Sequence, residues 1–89
     1  MITERISRLH RQVRIIMNEL INNETIEEAF VESGDGYINV SLGSEHYTID
    51  ALENIDEALN DLCCEVTFFS HPFRGYPALN VNIVPLGDD

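Results

Sequence analysis

The sequence predicts an α+β domain, with an antiparallel sheet of four or five strands and two helices on one face, in the order α-ββ(β)-α-ββ. Apolar residues recur every three or four positions over residues 3–21 and 50–62, as on one face of a helix. Elsewhere apolar and polar residues alternate, as in strands with one buried and one wet face. A chain of 89 residues has the size of one small domain, so a single domain over 1–89 is expected.

The first helix is expected to begin after an N-cap at Thr3 and to end near Ile21, before Asn22-Asn23, where an asparagine can take the left-handed closing position. Its apolar stripe covers fewer than three heptads, which favours packing on a sheet over a helix-to-helix dimer seam. Four of the five basic residues recur at every third position and form a basic ridge on the other side. The stripe consists of Ile2, Ile6, Leu9, Val13, Ile16 and Leu20, and the basic ridge of Arg5, Arg8, Arg11 and Arg14.

The following segment alternates with a period of two. Strands are expected over 26–32 and 37–42, on either side of the turn signal Ser33-Gly34-Asp35-Gly36. Residues 26–30 could instead extend as a helical turn. Gly43-Ser44 reads as a two-residue turn into a short strand over 45–48. This short strand is the one that makes the sheet four- or five-stranded.

The second helix is expected from Asp50 to Leu62, with Asp50 and Glu53 in a capping box. Four carboxylates line its outer side, and we call them the acidic ridge: Glu53, Asp56, Glu57 and Asp61. Two further strands, over 64–69 and 79–83, complete the sheet. The acidic ridge on one helix and the basic ridge on the other are complementary in charge, which suggests that they meet each other or a partner.

The charge of the chain is strongly negative. It has five arginines, no lysine and sixteen acids, for a net charge of −11. Residues 1–14 carry a net charge of +3 and residues 15–89 a net charge of −14. Such a body repels nucleic acid at long range and attracts basic protein surfaces, so direct nucleic-acid binding is disfavoured. The acids could equally serve only to keep the protein soluble.

The connection over 70–77 is longer than a usual hairpin loop and holds aromatic, basic and proline residues. Rigid aromatics beside an arginine are typical anchors of protein interfaces. The same set could stack on a base or hold a phosphate, or its rings could fold back onto the sheet edge. The candidate interface residues of this loop are His71, Phe73, Arg74 and Tyr76.

The sequence contains no motif that indicates catalysis, a cofactor or a metal. His10, His46 and His71 lie far apart in the sequence and form no metal-ligand pair, and there is no glycine-rich phosphate loop. Cys63 and Cys64 are adjacent, which disfavours a disulfide framework, and the end of a helix should raise a thiol pKa. We therefore expect a protein that is not an enzyme. Without a membrane-spanning or signal segment, a cytoplasmic location is the default.

The leading hypothesis is a small acidic module that binds a basic surface of a partner protein. A concrete form is an inhibitor that mimics DNA, of phage or mobile-element type, and occupies a nucleic-acid-binding surface. One alternative is a homodimer in which the basic ridge of one copy meets the acidic ridge of the other. Another is a binder of a small anion or nucleic acid through the basic ridge and the 70–77 loop.

The predicted element order and acidic character resemble those of type III secretion chaperones, which are dimers. The chain is shorter than these chaperones, shares no motif with them, and no C-terminal helix is predicted in it. The resemblance, which concerns element order only, implies a dimeric chaperone-like or adaptor protein as a further alternative.

Overall fold

Two helices and four strands form a two-layer domain in the computed structural model, which describes residues 2–43, 47–72 and 75–86, with side chains from residue 4 onward. The sheet has the strand order β1-β2-β4-β3, and all neighbouring strands are antiparallel. This confirms the predicted α+β class and the order α-ββ-α-ββ. In chain order the elements are α1 (Ile2–Asn22), β1 (Phe30–Ser33), β2 (Ile38–Ser41), α2 (Ile49–Asn60), β3 (Cys64–Ser70) and β4 (Leu79–Pro85).

The register divides the sheet into two chemically different faces. On the helix face, apolar side chains of neighbouring strands stand side by side and pack against α1 and α2. The opposite face, which we call the open face, carries mainly polar side chains because every strand alternates. Two cross-strand rows define it, namely Phe30–Ser41–Asn80–Phe69 and Glu32–Asn39–Asn82–Thr67.

The stripe of α1 provides one half of the core, as predicted, with one correction. Met17 is 1% exposed, whereas Ile16 is only partly buried. Met17 lies about 40° from Val13 around the helix and Ile16 about 60° away, so Met17 is nearer the centre of the stripe. The side chain of Ile2 lies outside the described residues. The fully enclosed residues that α1 meets include Ile38, Val40, Ile55, Leu59, Val81 and Ile83.

The ends of both helices differ from the predictions. Thr3 lies inside α1 and does not cap it, and the left-handed residue after the helix is Glu24, with φ 68°, and not an asparagine. The cap of α2 is Thr48, whose hydroxyl accepts a hydrogen bond of 3.1 Å from the backbone N–H of Ala51. The predicted cap, Asp50, therefore lies within the first turn. Thr48 fits better because the chain turns two residues earlier than the charge pattern indicated.

Other bounds of helices and strands also differ from the predicted ones. α2 ends at Asn60, before the predicted Leu62. β1 begins only at Phe30, although Ile26 ahead of it is buried in the core. The predicted strand over 45–48 falls partly on residues 44–46, which are not described, and Thr48 serves as the cap of α2. β3 and β4 both run further than predicted, to Ser70 and Pro85.

Glu24→Gly is expected to raise the free energy of unfolding by about 0.5–1 kcal/mol, because glycine adopts a positive φ without the Cβ penalty. The neighbouring Asn23→Ala should act in the opposite direction. The Asn23 Oδ1 accepts hydrogen bonds from the backbone N–H of Thr25 at 3.0 Å and from its hydroxyl at 2.6 Å. Urea unfolding of the two variants checks both signs, and a Glu24→Gly variant less stable than the parent would contradict the strain assigned here.

Candidate functional site

The acidic ridge lies on the outer side of α2 and at its C-cap, Asp61, and all four of its side chains are exposed. The opposite side of the helix is buried through Ala51, Ile55 and Leu59. The sequence pattern therefore placed these carboxylates on the correct side of the helix. Their exposure leaves them available for contact with another molecule.

The exposure of carboxylates extends beyond α2. All thirteen acids among the described residues are exposed. None of the three exposed arginines Arg8, Arg11 and Arg14 forms an ion pair with a carboxylate of the described residues. The negative charge of the domain is therefore presented to solvent and is not neutralised by these three arginines.

The basic ridge winds around α1 and does not form one straight row. Because the spacing of three falls short of a full turn, Arg5 and Arg14 lie on opposite sides of the helix. The Arg5 Nη2 donates a hydrogen bond of 2.9 Å to the backbone carbonyl of Leu86, just beyond β4. Arg14 instead borders a surface depression next to Ala29 and Val31. The four arginines therefore cannot all contact one flat partner surface.

The loop between β3 and β4 is only partly described. Phe73 and Arg74 lie outside the described residues, so their predicted role is not addressed by the structure. Tyr76 is 73% exposed. His71 is exposed at the edge of the open face, with its ring centroid 6.3 Å from that of Phe69. Of the two predicted loop residues that the structure describes, His71 and Tyr76, it is His71 that borders a concave surface.

That concave surface, which we call the polar groove, is a depression of about 460 Å³ on the open face. Its floor is made of amide and hydroxyl side chains from the two central strands, β2 and β4. Aromatic rings and a proline stand around it, and one carboxylate lies at its border. The floor consists of Asn39, Ser41, Asn80 and Asn82, and the surrounding residues are Phe30, Glu32, Tyr37, Phe69, His71 and Pro72.

Asn80 is the central side chain of the floor and is 2% exposed. Its Nδ2 donates hydrogen bonds of 3.2 Å to the backbone carbonyls of His71 and Ala78. Its Oδ1 accepts a hydrogen bond of 3.0 Å from the Asn39 Nδ2. The same loop is closed by the His71 N–H, which donates to the Ala78 carbonyl at 3.0 Å. Asn80 thus fixes both the floor of the polar groove and the two ends of the adjoining loop.

Ser41 lies next to Asn80 in the same cross-strand row and is 3% exposed. Its hydroxyl is buried and has no hydrogen-bond partner among the described residues. A buried hydroxyl without a partner is costly, and the large majority of buried polar side-chain groups in folded proteins have one. Ser41 is therefore a second unusual polar group in the floor of the polar groove.

Sequence reasoning missed the polar groove. The alternation placed Asn39, Ser41, Asn80 and Asn82 on the face away from the core, which is correct, although Ser41 and Asn80 are buried there and not wet. It gave no reason to bring the two pairs together. They meet because β2 pairs with β4 and not with the strand that follows it in the sequence. The usable signal was the presence of small neutral amides, without charges, on the wet side of two strands.

Among the described residues, two groups have shifted pKa values, and both lie outside the polar groove. Burial raises the pKa of the Cys64 thiol, with smaller contributions from Cys63 and Asp56. Its Sγ lies 3.5 Å from the Leu59 carbonyl, as expected for a thiol at the end of a helix. A raised thiol pKa lowers the fraction of thiolate, the reactive form. Burial, then the charges of Glu27 and Glu28, raise the pKa of Tyr47.

Metal ligands and membrane spans were sought within the described part of the chain. Over residues 2–43, 47–72 and 75–86, no three His, Cys, Asp or Glu side chains come together as metal ligands would. Neither helix, as far as it is described, is long and apolar enough to cross a bilayer. No protein-family model matches the chain, and comparisons with curated proteins and with solved structures found none similar to it.

Proposed function

We propose that the chain is an acidic binding module that docks on a basic surface of a partner protein, with the acidic ridge as its main contact. One observation carries this proposal: every described carboxylate is exposed, and the three exposed arginines neutralise none of them by ion pairing. A net charge of −11 then acts on the surroundings as a long-range field. Basic protein surfaces are the macromolecular partners that such a field attracts.

The geometry of α2 supports the acidic ridge, among all the exposed carboxylates, as the main contact. Three of its carboxylates lie on α2 and the fourth, Asp61, is the C-cap directly after it, so the four hold a fixed spacing over two to three turns. Surfaces that bind nucleic acid neutralise its phosphates with arginine and lysine. A partner of that kind would lose access to its nucleic acid while the module is bound, which makes inhibition of a nucleic-acid-binding protein the most concrete form of the proposal.

A second candidate, pairing of two copies in solution, is favoured by Arg8, Arg11 and Arg14. These arginines are exposed and pair with no described carboxylate of their own chain. In a homodimer they would meet the acidic ridge of the other copy. This arrangement and the docking proposal use the same four carboxylates, so one set of variants tests both.

Neutralising the acidic ridge is expected to abolish capture of the partner. Glu53→Gln, Asp56→Asn, Glu57→Gln and Asp61→Asn combined remove four charges from α2. A matched control, Glu19→Gln, Glu24→Gln, Asp35→Asn and Glu65→Gln combined, removes the same charge from other exposed sites. Immobilised wild type and both variants are incubated with cell lysate at low and at high salt. Basic proteins should bind the wild type and the control at low salt and leave both at high salt.

Retention of the same proteins by the ridge variant would contradict the proposal, as would binding that does not change with salt. Sedimentation of the three purified proteins distinguishes the homodimer from docking on a partner protein. A wild type and control that dimerise, with a monomeric ridge variant, would assign the acidic ridge to self-association. A wild type that stays a monomer at micromolar concentration would exclude that arrangement.

A further inference from the structure

The polar groove has no part in docking through α2, since it lies on the face of the sheet opposite the helices. We propose that it is a binding site for a neutral ligand rich in hydroxyl groups, of the saccharide class. Three features of the groove lead to this class: unused neutral hydrogen-bonding groups, a rigid floor, and aromatic rings at the border.

The unused groups are both donors and acceptors. The Asn82 amide makes no hydrogen bond within the described residues, and neither does the Ser41 hydroxyl. The Asn39 Nδ2 is engaged with Asn80, which leaves the Asn39 Oδ1 as an acceptor. Sugar hydroxyls donate and accept at the same atom, so they can satisfy a mixed set of this kind. The Ser41 hydroxyl lies beside Asn80 in the floor, so a ligand hydroxyl in the groove would supply the partner that it lacks among the described residues.

The floor is held rigid by its own hydrogen bonds. The Asn80 side chain is buried, and it is held by hydrogen bonds to the Asn39 side chain and to the backbone carbonyls of His71 and Ala78. The floor residues stand on β2 and β4, the two central strands, each of which is paired on both sides. Preorganisation of this kind lowers the entropy lost when a ligand binds.

Aromatic rings stand on both sides of the floor. Phe30 and Phe69 occupy the two ends of one cross-strand row, three strand spacings or about 14 Å apart. Phe69 is 38% exposed and Tyr37 40% exposed, so both present ring surface to solvent. A sugar ring has an apolar C–H face and a polar edge. It can therefore lie against an aromatic ring while its hydroxyls reach the amides of the floor.

The charge around the groove argues against anions. Among the described residues that line it, Glu32 is the one carboxylate and none is an arginine. The net charge of −11 adds to the repulsion of phosphates. Nucleotides and single-stranded nucleic acid are disfavoured for this reason, although aromatic rings on a sheet can stack on bases. A neutral ligand escapes this repulsion.

The test begins with labelled protein on an array of immobilised neutral glycans, followed by an NMR titration of the free glycan that binds best. The side-chain amide signals of Asn39 and Asn82 should shift and saturate. Binding should be the same at low and at high salt, because a neutral ligand is not screened. Phe69→Ala and Asn82→Ala should each weaken binding about tenfold, the equivalent of 1.4 kcal/mol. Tyr76→Ala, an exposed aromatic outside the groove, should bind like the wild type.

Ser41→Ala gives a readout that a purely structural role would not produce. Removal of a buried hydroxyl without a partner should raise the melting temperature of the free protein by a few degrees. The same change should weaken glycan binding, since it removes a donor and acceptor from the floor. A variant that is both more stable and weaker in binding is the expected result.

Several results would overturn the proposal. One is an array on which no neutral glycan is bound, and another is binding that Phe69→Ala leaves unchanged. A third is a shift of the groove signals by uncharged nucleosides and not by glycans. Open-face signals that change with protein concentration alone would show that a second copy covers the groove. The variant with a neutralised acidic ridge should bind glycan like the wild type, so failure of the docking proposal leaves this test intact.

Discussion

Met17→Ala is expected to lower the free energy of unfolding by about 3 kcal/mol, within the range for truncation of a fully buried large side chain. Met17 is 1% exposed and packs among Val13, Leu20 and the apolar side chains of the sheet. Its removal loses the transfer free energy of the thioether chain and leaves a cavity between α1 and the sheet. For a domain of 89 residues this corresponds to a fall in melting temperature of about 10–20 °C.

The matched control is Ile16→Ala, at the next residue of the same helix. Ile16 is only partly buried, and its loss should cost about 1 kcal/mol, because water already reaches part of the side chain. Urea unfolding of the two variants at one temperature gives the difference directly. Equal losses, or a larger loss for Ile16→Ala, would mean that α1 is rotated about its axis relative to the arrangement described here.

The pair also shows what the pattern of apolar residues could predict and what it could not. Spacings of three and four identified the buried side of α1, and Ile6, Leu9, Val13 and Leu20 are buried as predicted. At positions 16 and 17 both residues are apolar, so hydrophobicity could not decide between them. The choice depends on how α1 lies across β1, β2 and β4, which is a property of the folded sheet.

The candidate sites show the same difference between what local spacing predicts and what depends on the folded sheet. The acidic ridge follows from local spacing on one helix, and its four residues are exposed as that spacing requires. The polar groove depends on pairing between β2 and β4. Its floor residues on one strand are separated from those on the other by about forty positions in the sequence. For example, Asn39 bonds to Asn80 across a separation of 41 residues. Alternation indicates the face of each strand, but not which strands are neighbours.

The two surfaces would respond to different physical conditions. Docking through the acidic ridge depends on charge and should weaken as salt rises. Binding in the polar groove depends on neutral hydrogen bonds and ring contacts, which salt affects little. Since the helices and the open face are on opposite sides of the sheet, a partner on α2 leaves the groove accessible. Salt dependence therefore separates the two proposed activities in a single preparation.

Asn80→Ala is the second variant with a large expected effect, a loss of about 2–3 kcal/mol in the free energy of unfolding. The change removes two hydrogen bonds to the backbone carbonyls of His71 and Ala78 and leaves the half-buried Asn39 Nδ2 without its acceptor. Asn82→Ala is the matched control on the same strand and face. Its side chain makes no hydrogen bond within the described residues, so its loss should be below about 1 kcal/mol.

Asn80→Asp separates the hydrogen bonds from the volume of the side chain. The new carboxylate has nearly the same shape but would direct an oxygen at two backbone carbonyls that now accept from the Nδ2. Burial and these carbonyls should hold the pKa of the new carboxyl above its usual range, since both disfavour the charged form. An acid whose pKa is raised by folding costs stability as pH rises through that pKa. The loss in the free energy of unfolding of Asn80→Asp relative to wild type should therefore be larger at neutral than at mildly acidic pH. A deficit that does not change with pH would mean that position 80 contributes by packing alone, and the hydrogen bonds described here would carry little of its stabilising effect.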